Sequence, residues 1–545
     1  MQMTLHLDRR LLLKAGAFGL AALSTPGVAQ ILTARGFTHG VASGEPAANS
    51  VLLWTRYVGS GDTRLRCEVS ADESFRKVAG GGEVIASPAH DSCAKLMVSG
   101  LAPGQWYFYR FIAPDGTKSD VGHTRTLPVG EIDRFGIGLF SCSNMPFGWF
   151  NAYAHAAARD DLDLIVHVGD YFYEYEYGHY PDNPMAGRPI EPQNETVSLA
   201  DYRLRFASYR LDPDLRRIHQ RFPMIAQWDD HEFANDTWKG GAENHQPDKE
   251  GEWSIRRAAA EKAYREWMPV SDALYDSFQI GTLAKLFRPE TRVSARMEQL
   301  DFGAVIAEAA KGGQAQVAKA LAQFRDGPWR AADRTLLGAK QEAWLTQGLA
   351  DSVKSGTRWQ ILAQQVVMGS LKAPPQMADL VPSGGDPKVR QALTAIAAAS
   401  QVGLPFNMDS WDGYPAARER LLRAARQADC NLVVLAGDSH NAWGSELSVD
   451  GAPAGVEYAG HSVTSPGYEA YLPSLAPADL AKALRGANPG LAYADTSRRG
   501  YVSLHMTPEQ VRGEWHFLST IAQRTTAGTT SEGLSVKWNE RRFTA

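Results

Sequence analysis

The chain has 545 residues, a formal net charge of −5, and 21% charged against 44% hydrophobic side chains. That length exceeds one ordinary core, so two domains or one large elaborated one are expected. The acidic balance leaves no footprint for nucleic acid, and past the first thirty or so residues no apolar run approaches the roughly 20 residues of a membrane span.

The N-terminus reads Asp8-Arg9-Arg10 and then a modest apolar stretch, Ala15–Leu23. Then comes Ser24-Thr25-Pro26-Gly27-Val28-Ala29, small at the two positions a signal peptidase reads. This resembles a twin-arginine export signal over residues 1–29, with Asp where Ser or Thr is more usual before the arginines. Such a signal implies the twin-arginine translocation machinery as a partner and a periplasmic or secreted destination. It also carries proteins already folded, which suits a metalloenzyme.

Ser50–Tyr57, Leu65–Ser70 and Gln105–Ala113 are rich in β-formers, and Pro103-Gly104 and Pro114-Asp115-Gly116 supply turns between strands. They predict a small β-sandwich over residues 36–128. Cys67 and Cys93 lie on two of its strands, either as a pair or as two buried thiols. From Asp133 the rhythm changes to strand–helix alternation, which predicts an α/β catalytic domain over 133–530. Phe150–Arg159, Val197–Ser208, Ser254–Met268, Gly338–Ser352 and Pro415–Ala428 read as helices, and Trp359–Met368 as a buried strand. Arg203, Arg205 and Arg210 read as a solvated helix face. Gly303–Phe324 is Ala-rich and helical, with Gly312-Gly313 inside it and no function attached. The hairpin of Tyr501–Met506 and Val511–Phe517 is expected to complete a second sheet.

Four apolar runs carry the chemistry. Phe135–Phe140 ends in Ser141-Cys142-Ser143-Asn144, and Leu164–Val168 ends in Gly169-Asp170 with Tyr173 about one turn on. Met224–Trp228 ends in Asp229-Asp230-His231-Glu232, and Leu432–Ala436 ends in Gly437-Asp438-Ser439-His440-Asn441. As parallel neighbours in one sheet, these strands would bring their carboxyl ends to one crevice. A thiolate, a phenolate and an imidazole suit a Lewis-acidic transition metal, with trivalent iron the natural partner of phenolate; an oxygen-only set suits calcium or, less well, magnesium. Two cations sharing Asp170 fit phosphoryl hydrolysis, with His231 placed to meet the leaving group or a phosphate oxygen. Asp229 competes with Asp230, and since adjacent residues point apart only one should bind; the neighbouring His231 favours Asp230. His167 reads as a core histidine or a support for the site, and His461 as either a support or a surface group.

Together Phe140-Ser141-Cys142-Ser143-Asn144, Val168-Gly169-Asp170-Tyr171-Phe172-Tyr173-Glu174-Tyr175, Trp228-Asp229-Asp230-His231-Glu232, Gly437-Asp438-Ser439-His440-Asn441, Trp411-Asp412-Gly413-Tyr414-Pro415 and Thr464-Ser465-Pro466-Gly467 resemble the alkaline phosphatase D (PhoD-like) family of calcineurin-like metallophosphoesterases. The resemblance implies an α/β fold: a four-layer α/β/β/α core preceded by a small, fibronectin III-like β-sandwich. It implies Fe3+ on Cys142, Asp170, Tyr173 and His440, and Ca2+ on Asp170, Asp230 and Asp438, other divalent metals being possible. It places His231 and Asp170 in catalysis, and Asn144 and Asn235 as further substrate contacts. One departure stands out: many relatives carry a strand reading Leu-Asp-Thr-Arg, where this chain has Phe287-Arg288-Pro289-Glu290-Thr291-Arg292.

The expected function is an exported, metal-dependent phosphohydrolase cleaving phosphomonoesters and phosphodiesters at alkaline pH by metal-activated hydroxide. Two alternatives stand beside it: a phospholipase D-like diesterase on phospholipid head groups, and a non-catalytic exported binding protein with structural metals. A serine hydrolase is disfavoured, because no G-x-S-x-G elbow accompanies these strands.

Overall fold

The computed structural model describes residues 31, 33–381, 387–405 and 407–544, so the export signal expected over 1–29 lies outside the described residues. Among the described residues no helix is long and apolar enough to cross a membrane.

Two mixed sheets form the main body. In the eleven-stranded sheet, Phe135–Phe140, Leu164–His167 and Pro223–Ala226 are parallel neighbours. All three are buried along their whole length, which is why they read as near-continuous apolar runs, broken only by His167, rather than alternating ones. The seven-stranded sheet runs Asp276–Ile280, Ala284–Arg288, Trp359–Ala363, Leu432–Ala436, Ala452–Ala459, Ala442–Val449, Leu491–Asp495. The sheets pack face to face: Ile137, Leu139, Val166 and Ile225 of the first share a core with Ile361, Val433, Leu435 and Val456 of the second. Helices Asn151–Ala157, Leu199–Arg210, Pro213–Arg221 and Trp253–Trp267 cover the outer face of the first, and Gly338–Lys354 and Pro415–Gln427 that of the second. This is the expected α/β/β/α stack of four layers.

Two expectations need correction. Leu432–Ala436 is not a neighbour of the other three ligand-bearing strands; it lies in the facing sheet, so the endings meet across the sheet interface. The hairpin of Gly500–Met506 and Gln510–Leu518 joins the first sheet, antiparallel to Phe135–Phe140, and not the second. A fully buried strand presents the same apolar run to whichever sheet it enters, so sequence alone does not assign it.

The N-terminal sandwich packs a four-stranded sheet (Thr63–Ser70, Val78–Ala86, Trp106–Ile112, Gly122–Arg125) on Gly36–Gly44, Ser50–Val58 and Cys93–Ser99. Gly36–Gly44 also pairs in parallel with Pro223–Ala226, so a backbone ladder ties the sandwich to the main sheet. Cys67 and Cys93 are both buried and unpaired. The Ala-rich segment is two helices, Phe302–Ala309 and Gln314–Asp326, separated at Gly312-Gly313 as the glycines suggest.

Candidate metal centre

The strand ends press so closely that backbone geometry is forced. Cys142, Asp170, Asp438 and His440 all take left-handed backbone, with φ of 61°, 54°, 62° and 59°. Non-glycine residues hold that conformation only where their surroundings impose it, and such positions cluster at functional sites. Gly169 makes the turn before Asp170 at φ 102°, and a Cβ on it would lie 2.3 Å from Asp229 Cβ. Glycine is required there.

All six side chains singled out for metal binding come together. Ligand atoms of Cys142, Asp170 and His440 lie within 4.8 Å of one another, as do those of Asp170, Asp230 and His231, and of Asp229, Asp230 and Asp438. The Tyr173 hydroxyl donates to Asp170 Oδ2 at 3.0 Å, meets His440 Nε2 at 2.9 Å, and accepts from Ser465 Oγ at 2.7 Å. His440 Nδ1 faces the Pro466 carbonyl at 2.9 Å, which turns Nε2 inward. The Thr464-Ser465-Pro466-Gly467 turn therefore orients two of the six.

Asp229 and Asp230 do not point apart. The strand stops at Ala226, so side-chain alternation no longer applies, and both carboxylates reach the same group of oxygens. Asp230 Oδ2 accepts from the Asp236 N–H at 2.7 Å, and one Asp229 oxygen accepts from Arg292 Nε. Asp170 Oδ1, Asp229 Oδ2 and Asp230 Oδ1 are buried with no hydrogen-bond partner. Desolvated carboxylate oxygens facing each other are costly unless a cation sits among them. Burial, and then the Asp170 charge, holds the Cys142 thiol well above its ordinary range, so a thiolate there also calls for a cation. The donor set fits: sulfur, phenol and imidazole on one side, oxygens only on the other.

Around this ring stand residues that sequence reasoning passed over. Arg292 is fully buried; it donates through Nε to Asp229, through Nη1 to Asp409 Oδ2 at 2.7 Å and through Nη2 to Asp438 Oδ1 at 2.8 Å. Arg296 pairs with Asp409. Glu290, just past the strand Ala284–Arg288, accepts from the N–H groups of Arg292, Val293 and Ser294 at 2.6–2.8 Å, setting the turn that delivers Arg292. Glu232 accepts from the N–H groups of Asp170, Tyr171 and Asp229 at 3.1, 2.6 and 2.7 Å, tying two strand ends together; burial, then the Asp170 charge, pushes it up to about 8.

Glu174 is the partner of His231. Its Oε2 lies 2.7 Å from His231 Nδ1, while Oε1 accepts from Asn235 N at 2.7 Å and Asn244 Nδ2 at 2.8 Å. Burial alone would deprotonate His231, but the Asp230, Glu174 and Asp170 charges outweigh it and hold the imidazole well above its usual range. Asn144 is buried and donates to the Tyr180 carbonyl at 3.2 Å, and Asn235 donates to Glu243 Oε2 at 3.1 Å. His167 is a core histidine, 2.9 Å from the Tyr153 hydroxyl, and His461 is buried against the His516 carbonyl at 3.1 Å.

The arginines on Leu199–Arg210 do not form a solvated face. Arg205 and Arg210 are fully buried because this helix is held between the sheet and the loop that follows Tyr173. Arg205 donates to the carbonyls of Tyr173, Tyr175, Pro192 and Asn194, bracing the loop, and Arg210 lies 4.2 Å over the Trp54 ring. Arg203 pairs with Glu266.

A four-layer stack with acidic, thiol, phenol and imidazole groups converging at its strand ends defines the class: a metal-dependent phosphoesterase of the metallophosphoesterase fold. A purple acid phosphatase, PPD1 from yellow lupin (Lupinus luteus) seeds, shares that fold at a TM-score of 0.52 and 12% identity, over 93% of this chain and 75% of its own. Residues 135–515 match the PhoD-like phosphatase family and residues 23–128 the N-terminal domain of PhoD-like phosphatases. The chain is 32% identical to alkaline phosphatase D of Bacillus subtilis (strain 168) over 519 residues, spanning 89% of this chain and 78% of that protein. The solved structure of PhoD superposes with a TM-score of 0.76 at 29% identity, over 94% of this chain and 92% of that one. The chain belongs to the PhoD-like phosphatase family.

Proposed function

We propose that this chain, exported by the twin-arginine pathway to the periplasm or beyond, hydrolyses phosphomonoesters and phosphodiesters at alkaline pH as a means of phosphate scavenging. Cys142, Asp170, Tyr173 and His440 would hold Fe3+, and Asp170, Asp230 and Asp438 would hold Ca2+, with Asp229 an added oxygen donor beside the second. The reading rests on one observation above others: three buried carboxylate oxygens, on Asp170, Asp229 and Asp230, accept no hydrogen bond within the protein.

When bound, the two cations would supply Lewis acidity, acidifying water and offsetting charge on the phosphoryl oxygens. The protein's own groups do the rest. His231, fixed through Nδ1 by Glu174, keeps Nε2 free to donate to a phosphoryl oxygen or to the departing alkoxide. Arg292 offsets the surplus negative charge of Asp229, Asp409 and Asp438, so the acidic cluster stays folded before any cation arrives. Asn144 and Asn235 would serve as secondary substrate contacts.

The test combines elemental analysis of protein purified without added metal with turnover of p-nitrophenyl phosphate and bis-p-nitrophenyl phosphate, run beside Asp170→Asn. Iron and calcium are expected in the parent, and Asp170→Asn should lose both metals and turnover while keeping its fold by circular dichroism. A folded Asp170→Asn protein that turns over like the parent would refute the shared-ligand centre. A phosphatidylcholine arm in the same assay separates soluble esters from lipid head groups.

A further inference from the structure

The floor of the centre is charged, but one of its walls is aromatic. Starting at His231, the Tyr173 ring lies 4.0 Å away and the Tyr175 ring 5.5 Å away. Tyr180 lies 5.8 Å from Tyr173 and 5.7 Å from Tyr175, and His179 stacks on Tyr175 at 5.0 Å and 25°. Phe147 meets Tyr180 edge-on at 4.9 Å. The Tyr180 backbone is held by Asn144, and its hydroxyl lies 2.8 Å from that of Tyr471, which is 54% exposed. A row of rings thus runs without a break from the imidazole beside the acidic cluster out to solvent.

Aromatic runs next to a strand usually fill a core. Tyr171 and Phe172 do so: both are buried, one against His219 and the other against Phe206. Tyr175 and Tyr180 differ, because they keep part of their surface open while their neighbours on the inner side are His231 and Tyr173 rather than an aliphatic core. Among the described residues no lysine or arginine belongs to this row, so it offers nothing to the further phosphates of a polyphosphate. It offers flat faces. Stacking on such faces tolerates variation in the ring that stacks, because every aromatic ring has a π-face.

We propose that Tyr175 and Tyr180 form a leaving-group subsite that favours phosphate esters of ring-bearing alcohols, nucleosides among them, over esters of small polyols. This rests on the phosphohydrolase reading above. The ring of the alcohol would lie against Tyr175 or Tyr180 while its phosphoryl group faces the acidic cluster and His231. Both tyrosines act on substrate selection and not on bond breaking.

Three symmetrical diesters with alkyl leaving groups test this: bis(2-phenylethyl) phosphate, bis(thymidin-5′-yl) phosphate and glycerophosphoglycerol, each with its monoester run alongside. The parent is expected to favour the two ring-bearing diesters in kcat/KM by about tenfold or more. Tyr175→Leu and Tyr180→Leu should lower those two by roughly 5- to 150-fold, the range that loss of one stacked base spans, and leave the glycerol ester within about twofold. Tyr180→Phe keeps the ring and should keep the preference, which separates stacking from disturbed folding. A response by only one ring ester would support the subsite and narrow its ligand, to a nucleoside or to a simple aryl group. Equal kcat/KM for all three diesters in the parent, or an equal drop for all three in the leucine variants, would overturn the subsite and leave the hydrolase reading standing. Failure of the metal-replete parent to cleave any of the esters would instead sink the hydrolase reading itself.

Discussion

Glu174→Gln is the perturbation that best isolates what the protein contributes apart from its cations. Glu174 does not belong to the groups able to hold a metal, yet it is fully buried and makes three hydrogen bonds, at 2.7, 2.7 and 2.8 Å. Burial works to raise its carboxyl, but the His231 charge and the amide donors outweigh it and hold it below the ordinary range, so it is an anion wherever the enzyme works. A hydrogen bond to a charged group is worth about 1.5–3 kcal/mol. At about 1.4 kcal/mol per tenfold in rate, losing one that matters only as His231 gives up or accepts a proton corresponds to roughly 10- to 150-fold in kcat. The substituted amide retains the shape but has one acceptor oxygen for two sets of donors, so either His231 or the Asn235 N–H loses its partner. The expected result is a kcat for p-nitrophenyl phosphate lowered about 10- to 100-fold, the range seen when a carboxylate behind a site histidine is removed. KM should change little, and iron and calcium per chain should match the parent. A metal-replete, folded Glu174→Gln protein with kcat within about twofold of the parent would show that the clasp on His231 is structural only.

Arg292→Met leaves Asp229 and Asp438 without their guanidinium partner, so in chelator it should be less stable by about 3–5 kcal/mol in urea unfolding. Added divalent cation should return part of that loss, and a chelated loss below about 1 kcal/mol would mean the guanidinium is not what holds the cluster together. Gly437→Ala puts a Cβ 2.6 Å from Ser141 Cβ, where the two sheets meet; a thermal melt should report about 1–3 kcal/mol lost, and an unchanged melt would contradict that close approach. Burial lowers His461 from 6.5 to about 3, so between those values the unfolded chain binds a proton that the folded chain refuses; stability is complete above pH 6.5 and falls as pH falls. At pH 5 that amounts to about 2 kcal/mol, and His461→Gln should lose correspondingly less stability than the parent between pH 7.5 and pH 5. Identical pH dependence in denaturant melts of the two proteins would rule His461 out as a source of acid sensitivity.

What sequence could and could not disclose here follows from how locally each feature is determined. A buried strand that ends in metal-binding side chains is written in a short consecutive run, and the side chains at all four such endings meet in one cluster, although one of them arrives from the facing sheet. Which sheet Leu432–Ala436 enters depends on pairing partners about 70 residues before it and about 20 after it in the chain, and nothing in its five apolar residues encodes them. The surrounding charges were hidden for a related reason: an Arg or Glu in a sequence reads as surface, because burying it demands a partner that only the tertiary fold supplies. Glu174 finds His231 57 positions on, and Arg292 finds Asp438 146 positions on.

The same bookkeeping of charge explains why the cations belong to the fold as much as to the reaction. Asp170, Asp229, Asp230, Asp409 and Asp438 crowd together against two guanidiniums among the described residues, those of Arg292 and Arg296. Even with the His231 imidazolium added, three cationic groups do not match five carboxylates one for one, and left-handed backbone at Cys142, Asp170, Asp438 and His440 adds strain of about 1–3 kcal/mol at each position. Hydrophobic packing between the two sheets can hold such an arrangement, but it leaves a surplus of negative charge pointed at one spot. A phosphate ester, itself an anion, would be repelled from that spot unless cations more than offset the surplus. The feature that strains the folded chain is thus the one that makes binding of its substrate conditional on metal.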